Sequence, residues 1–150
     1  MQVQDEILET IQGWFSVTEA ESLQIWELVQ ERFPRGLPRN VVSATGAINI
    51  LLRGGVFSQL AYIQFLNWLW CAVTDCTGLA GTDTVYVLWD DMDYRSVAML
   101  AGSLPAALDR LLDLYAPMAI VPHDVSWCLF FTMIGDVRFS YLNEIRRGKE

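Results

Sequence analysis

The spacing of apolar residues changes part-way along the chain. In QDEILETIQGWF, Ile7, Leu8, Ile11, Trp14 and Phe15 recur at helical intervals, which predicts a first helix loosened at its end by Gly13. SVTEAESLQIWELVQERF follows with Leu23, Trp26, Leu28, Val29 and Phe33 before Pro34. Either Ser16-x-x-Glu19 or Thr18-x-x-Glu21 can serve as its capping box. The outer face of this second helix carries Glu19, Glu21, Glu27 and Glu31. PRGLPRN reads as a loop, and VVSATGAINILLRGG as a weaker helix interrupted by Gly46 and ended by Gly54-Gly55. VFSQLAYIQFLNWLWCAV, residues 56–73, is uncharged and long enough to raise the question of a membrane span. At 100° per residue, however, Gln59, Gln64 and Asn67 fall within about 140° of one another. That one-sided polar seam predicts a central bundle helix.

After the glycine-bearing TDCTGLAGTD the period shortens, and TVYVLW, rich in β-branched and aromatic residues, predicts a strand. From Arg95 to Tyr115 helical spacing returns, with Gly102 and Pro105 splitting the segment into two pieces. MAIV is a short strand, and SWCLFFTMIGDVRFSY a hairpin turning at Ile134-Gly135-Asp136. The expected fold class is α+β: a helical N-terminal half, then strand, helix and a C-terminal hairpin or small antiparallel sheet. At 150 residues and 53% hydrophobic content the chain supports a single compact domain over 1–150, as a monomer or small oligomer.

Charge narrows the range of partners. The net charge of −8 disfavours nucleic acid and anionic membrane surfaces, which need a positive footprint, and favours a basic protein. Residues 1–35 hold seven acids against Arg32 and Arg35, residues 75–94 hold five aspartates and no basic residue, and residues 95–150 are balanced. The acidic, amphipathic start MQVQDEILETI does not read as a signal peptide, so a cytoplasmic protein is expected. Three cysteines without a CxxC pair and one histidine argue against a zinc site, and Cys71, Cys76 and Cys128 are expected reduced and buried.

The densest run of acids is in VYVLWDDMDY, where Asp90, Asp91 and Asp93 leave the strand between Trp89 and Tyr94. Three readings compete for it: a solvated strand end with Asp93 capping a helix from Tyr94, a surface that grips a basic partner, and a metal or phosphoryl-transfer site. A strand followed by Asp-x-Asp resembles the first motif of aspartate-nucleophile phosphotransferases. There Asp91 and Asp93 would serve as nucleophile and acid–base pair around magnesium. Position 95 is arginine, though, where that motif expects a small β-branched residue, and the only lysine is Lys149. His123-Asp124 lacks the further histidines of a metal enzyme, and a Cys128–His123 nucleophile pair places the thiol among Trp127, Leu129 and Phe130. RGGVF and TGLAG lack the spacing and lysine of a phosphate loop.

No cofactor and no metal site is therefore expected. Small size, acidity and the strand segments VYVLWDDMDY and VSWCLFFTMIGDVRFSY resemble in build the bacterial immunity proteins that neutralise polymorphic and contact-dependent-inhibition toxins. The resemblance implies a non-enzymatic inhibitor that covers a toxin domain, often a basic nuclease, with carboxylates in place of the phosphates the nuclease contacts. From the residues, the expected partner-binding surface is Trp89, Asp90, Asp91, Asp93 and Tyr94, with Glu27 and Glu31 on the helical side, the aromatics acting as desolvated anchors.

Overall fold

The computed structural model describes residues 3–33, 41–43, 59–91, 93–114, 116–131 and 137–141. In chain order the elements are α1 (Val3–Glu9), β1 (Trp14–Ser16), α2 (Glu19–Arg32), β2 (Val41–Ser43) and α3 (Gln59–Thr77). They continue with β3 (Thr84–Trp89), β4 (Val97–Leu100), a 3₁₀ turn (Ala101–Ser103), α4 (Leu108–Leu111), β5 (Met118–Pro122), β6 (Trp127–Phe131) and β7 (Val137–Tyr141). The strands form one sheet of seven in the order β1-β4-β3-β5-β6-β7-β2, and every neighbouring pair is antiparallel.

The fold is α+β, with helices predominant early and strands late, and the sheet is larger than a hairpin. Its central strands read as unbroken apolar runs because both faces are covered. On one face Val85, Val87 and Trp89 join Met99, Met118, Ile120 and Leu129 beneath α1, α3 and α4. On the other, Tyr86, Leu88, Ala98, Val121, Cys128 and Phe130 meet Ile25, Val29 and Phe33 of α2. The two-residue period of the strand sends alternate side chains to opposite cores.

Several expectations are corrected. The first helix ends at Glu9, and Trp14–Ser16 is instead an edge strand in register with Met99, Ala98 and Val97. Gly13, at φ +84°, turns the chain between them, a conformation that glycine adopts without strain. Val97–Leu100, read as helical, is β4, hydrogen-bonded to β3 and β1 on its two sides. Its apolar residues fit either period, and two open strand edges decide between them. Val41–Ser43, at the start of the weaker predicted helix, pairs with β7, and residues 44–58 lie outside the described set.

The helix expected over 56–73 is α3, an outer-layer helix and not a central one. Leu66, Leu69, Trp70 and Val73 are buried, whereas Gln64, Asn67, Trp68 and Cys71 face outward. Trp70 Nε1 donates to the Ala101 carbonyl at 3.0 Å, which ties α3 to the 3₁₀ turn. Among the described residues no helix is long and apolar enough to cross a membrane. Thr18, the second of the two capping candidates, caps α2 by accepting from the Glu21 N–H at 3.1 Å. The predicted C-terminal hairpin is present as β6 and β7, with Leu129 opposite Phe139, while its turn residues 132–136 lie outside the described set. Cys128 is buried as expected, but Cys71 and Cys76 are exposed.

Candidate functional site

The acidic cluster connects β3 to β4. Trp89 ends β3 on the face packed by α3, so it is a core residue with 3% of its surface exposed, contrary to its expected place as an exposed aromatic. Its Nε1 has no hydrogen-bond partner among the described residues. Tyr94 is half-buried and packs its ring edge-to-face against Trp89, with centroids 6.3 Å apart and planes at 71°. The aromatics therefore anchor the connection from beneath, and the carboxylates are what it presents.

Backbone and side-chain hydrogen bonds hold this segment. The Asp90 N–H donates to the Pro117 carbonyl at 2.8 Å, and the Asp93 N–H to Asp91 Oδ1 at 2.8 Å. The Tyr94 N–H then donates to the Asp91 carbonyl at 3.1 Å. This is an aspartate-closed turn, and no helix begins at Tyr94; the capping expected of Asp93 is replaced by the turn that Asp91 makes. At the far end, buried Gln4 grips the Arg95 backbone twice. Its Nε2 donates to the Arg95 carbonyl at 2.7 Å, and its Oε1 accepts from the Arg95 N–H at 3.0 Å.

The Arg95 side chain turns away from its aspartate neighbours. Its guanidinium donates to Asp5 Oδ1 at 2.7 Å and lies over the Trp14 ring, 5.6 Å from the centroid. That is the single ion pair among the described residues. Asp90 and Asp93 are exposed and Asp91 half-buried, and among the described residues no cation pairs with the three carboxylates. Among the described residues no three acidic, histidine or cysteine side chains converge to hold a metal ion, and one Asp91 oxygen is engaged in the turn.

Glu27 and Glu31 stand one helical turn apart on the exposed side of α2, where they line a shallow open depression with Gln24 and Leu28. Leu23 on the same helix is 60% exposed. No hydrogen bond or ion pair among the described residues joins this helix face to the aspartate turn. The seven sequence-predicted residues thus divide into Trp89 in the core, the turn Asp90, Asp91, Asp93 and Tyr94 above it, and a separate helix face with Glu27 and Glu31.

A second polar group was not visible in the sequence pattern. Tyr86, the even-numbered partner of Val85 and Val87, points into the core under α2, yet its hydroxyl reaches Glu21 Oε2 at 3.0 Å and His123 Nδ1 at 3.3 Å. Burial, and then the hydrogen bond and charge of Glu21, push the Tyr86 phenol above its ordinary 10.0. His123 is exposed on the turn after β5, whereas Cys128 is enclosed, and burial pushes its thiol up to about 12. A thiol so disfavoured as thiolate is a poor nucleophile, which removes the Cys128–His123 pair. In the same turn, Val125 is fully buried with φ +50°, and Arg32 donates to the carbonyls of Asp124 at 2.6 Å and Val125 at 3.2 Å. A β-branched residue in that region is strained and persists because its surroundings hold it.

No protein-family model matches the chain, and searches of curated proteins and of solved structures return no match.

Proposed function

We propose that this protein is a non-enzymatic acidic binding protein that takes a basic protein partner on the turn between β3 and β4, in the manner of an immunity protein neutralising a toxin domain inside the cell that makes it. The observation that supports this is the diversion of Arg95 to Asp5, which leaves Asp90, Asp91 and Asp93 without an ion pair among the described residues, on a backbone held at both ends. A rigid carboxylate array lets a guanidinium-rich surface bind without first displacing an internal cation, and it loses little conformational entropy on binding. Glu27, Glu31 and exposed Leu23 on α2 supply a further acidic and apolar surface for the same partner.

The test is partner capture by crosslinking, followed by affinity measurements over a salt series for the wild type and for Asp90→Asn/Asp91→Asn/Asp93→Asn. Asparagine keeps the turn acceptor at position 91 and removes the charge. Weaker binding with a flatter salt dependence supports the reading, and unchanged affinity and salt dependence reject it. Magnesium-dependent turnover of a phosphate ester, lost in Asp91→Asn, would favour the phosphotransferase alternative instead.

A further inference from the structure

Three segments meet at the Tyr86 hydroxyl: the first turn of α2 through Glu21, β3 through Tyr86 itself, and the turn after β5 through His123. We propose that His123 is a recognition site for a cationic hydrogen-bond donor, a guanidinium or ammonium group, with its Nε2 presented as a fixed acceptor by the Glu21–Tyr86–His123 relay. The inference rests on the reading of a basic partner and names a second contact for it.

The argument is one of proton counting. A phenol has one proton, and Tyr86 places it on Glu21 Oε2 at 3.0 Å. Burial and the neighbouring carboxylate both oppose ionisation of Tyr86, so the phenol keeps that proton. Its oxygen is then available to His123 only as an acceptor, and Nδ1 at 3.3 Å must be the donor. A neutral imidazole carries a single N–H, so with Nδ1 protonated the lone pair is on Nε2. The ring is tilted 33° to that of Tyr86 and lies on the exposed turn. Charge selects the ligand class, because Glu21 stands behind the relay and Arg32, the described cation that lies against this turn, is spent on the carbonyls of Asp124 and Val125. The antiparallel register of β3 and β5, with Val85 opposite Pro122, puts His123 level with Thr84, six residues from Asp90 and roughly 20 Å along the strand, within one partner footprint.

His123 is the only histidine, so its ring nitrogens can be followed by NMR after labelling histidine alone. At about pH 8.5, above the ordinary histidine range, the wild type is expected to show the Nδ1–H tautomer and Tyr86→Phe to revert to Nε2–H. An Nε2–H wild type overturns the inference whether or not a partner is known. Ethylguanidinium chloride is expected to shift the Nε2 resonance saturably, with the response at least several-fold weaker in Glu21→Gln. An equal response to tetramethylammonium chloride, which has no N–H, or no response to either salt, overturns it as well. With a partner in hand, His123→Ala is expected to weaken binding about tenfold. Unchanged affinity in that variant, with a loss on replacing the three aspartates, would reject the relay as a contact and keep the proposed function. The reverse pattern would reject the turn and keep the relay.

Discussion

Arg95 follows Asp93 by two positions in the chain, yet its guanidinium is bound to Asp5 of α1 at 2.7 Å. The pairing leaves the charge of the aspartate turn intact. Both partners are substantially exposed, at 47% and 33%, so the bond itself contributes between 0 and about 1 kcal/mol. Asp5→Asn is therefore expected to leave the urea midpoint nearly unchanged. By freeing Arg95 to fold back over Asp91 and Asp93, it should also weaken association with the proposed basic partner and flatten its salt dependence. A large stability loss with unaltered binding would contradict this assignment of roles.

Gln4 is expected to matter more than the ion pair. Truncation of buried Gln4 to alanine leaves the part-buried Arg95 N–H and carbonyl without their partners, at a cost of up to about 1–3 kcal/mol measured by urea unfolding. Faster hydrogen exchange of the amides at Asp93 and Tyr94 should accompany it, since one anchor of the turn is lost.

The tryptophans should separate sharply. Trp89→Ala empties part of the first core and is expected to cost about 3–5 kcal/mol, whereas Trp68→Ala, at 57% exposure, should stay within about 0.5 kcal/mol. Trp89→Phe removes an N–H that has no partner among the described residues, so thermal unfolding should show a loss well below that of the alanine variant. Equal stability changes at the two positions would rule out the core placement of Trp89.

Alkaline pH should destabilise the fold through Cys128. The unfolded chain ionises this thiol near its ordinary 9.0, while the folded chain holds the proton up to about 12. Between those values the unfolded state binds fewer protons than the native state, so stability falls as pH rises through that window. Tyr86 adds to the fall above its ordinary 10.0, because its folded phenol also ionises later than the unfolded one. Denaturant midpoints measured from neutral to alkaline pH should decline from about pH 9, and less steeply in Cys128→Ala. In native protein a thiol reagent should titrate Cys71 and Cys76 promptly and reach Cys128 only on unfolding.

The long, strongly patterned elements were legible in the sequence: α2, α3, β3, β5 and the β6–β7 hairpin each follow a local period that no neighbour overrides, while the choice of Thr18 over Ser16 as the cap of α2 came from the structure. The acidic turn was legible too, since Asp90, Asp91 and Asp93 are contiguous and follow an apolar strand. What the chain by itself could not decide is which way short apolar stretches pair and which aromatics are covered. Val97–Leu100 and Trp14–Ser16 became strands because they complete each other's ladder. Trp89 went inside because alternation along β3 places it with Val85 and Val87 under α3, while Tyr86 went to the opposite face and met Glu21 and His123, residues 65 and 37 positions away. Local sequence sets a period and a charge. Which face of a strand meets a helix, and which cation leaves its neighbours for a distant carboxylate, depends on contacts between segments far apart in the chain, and only the assembled sheet brings those together.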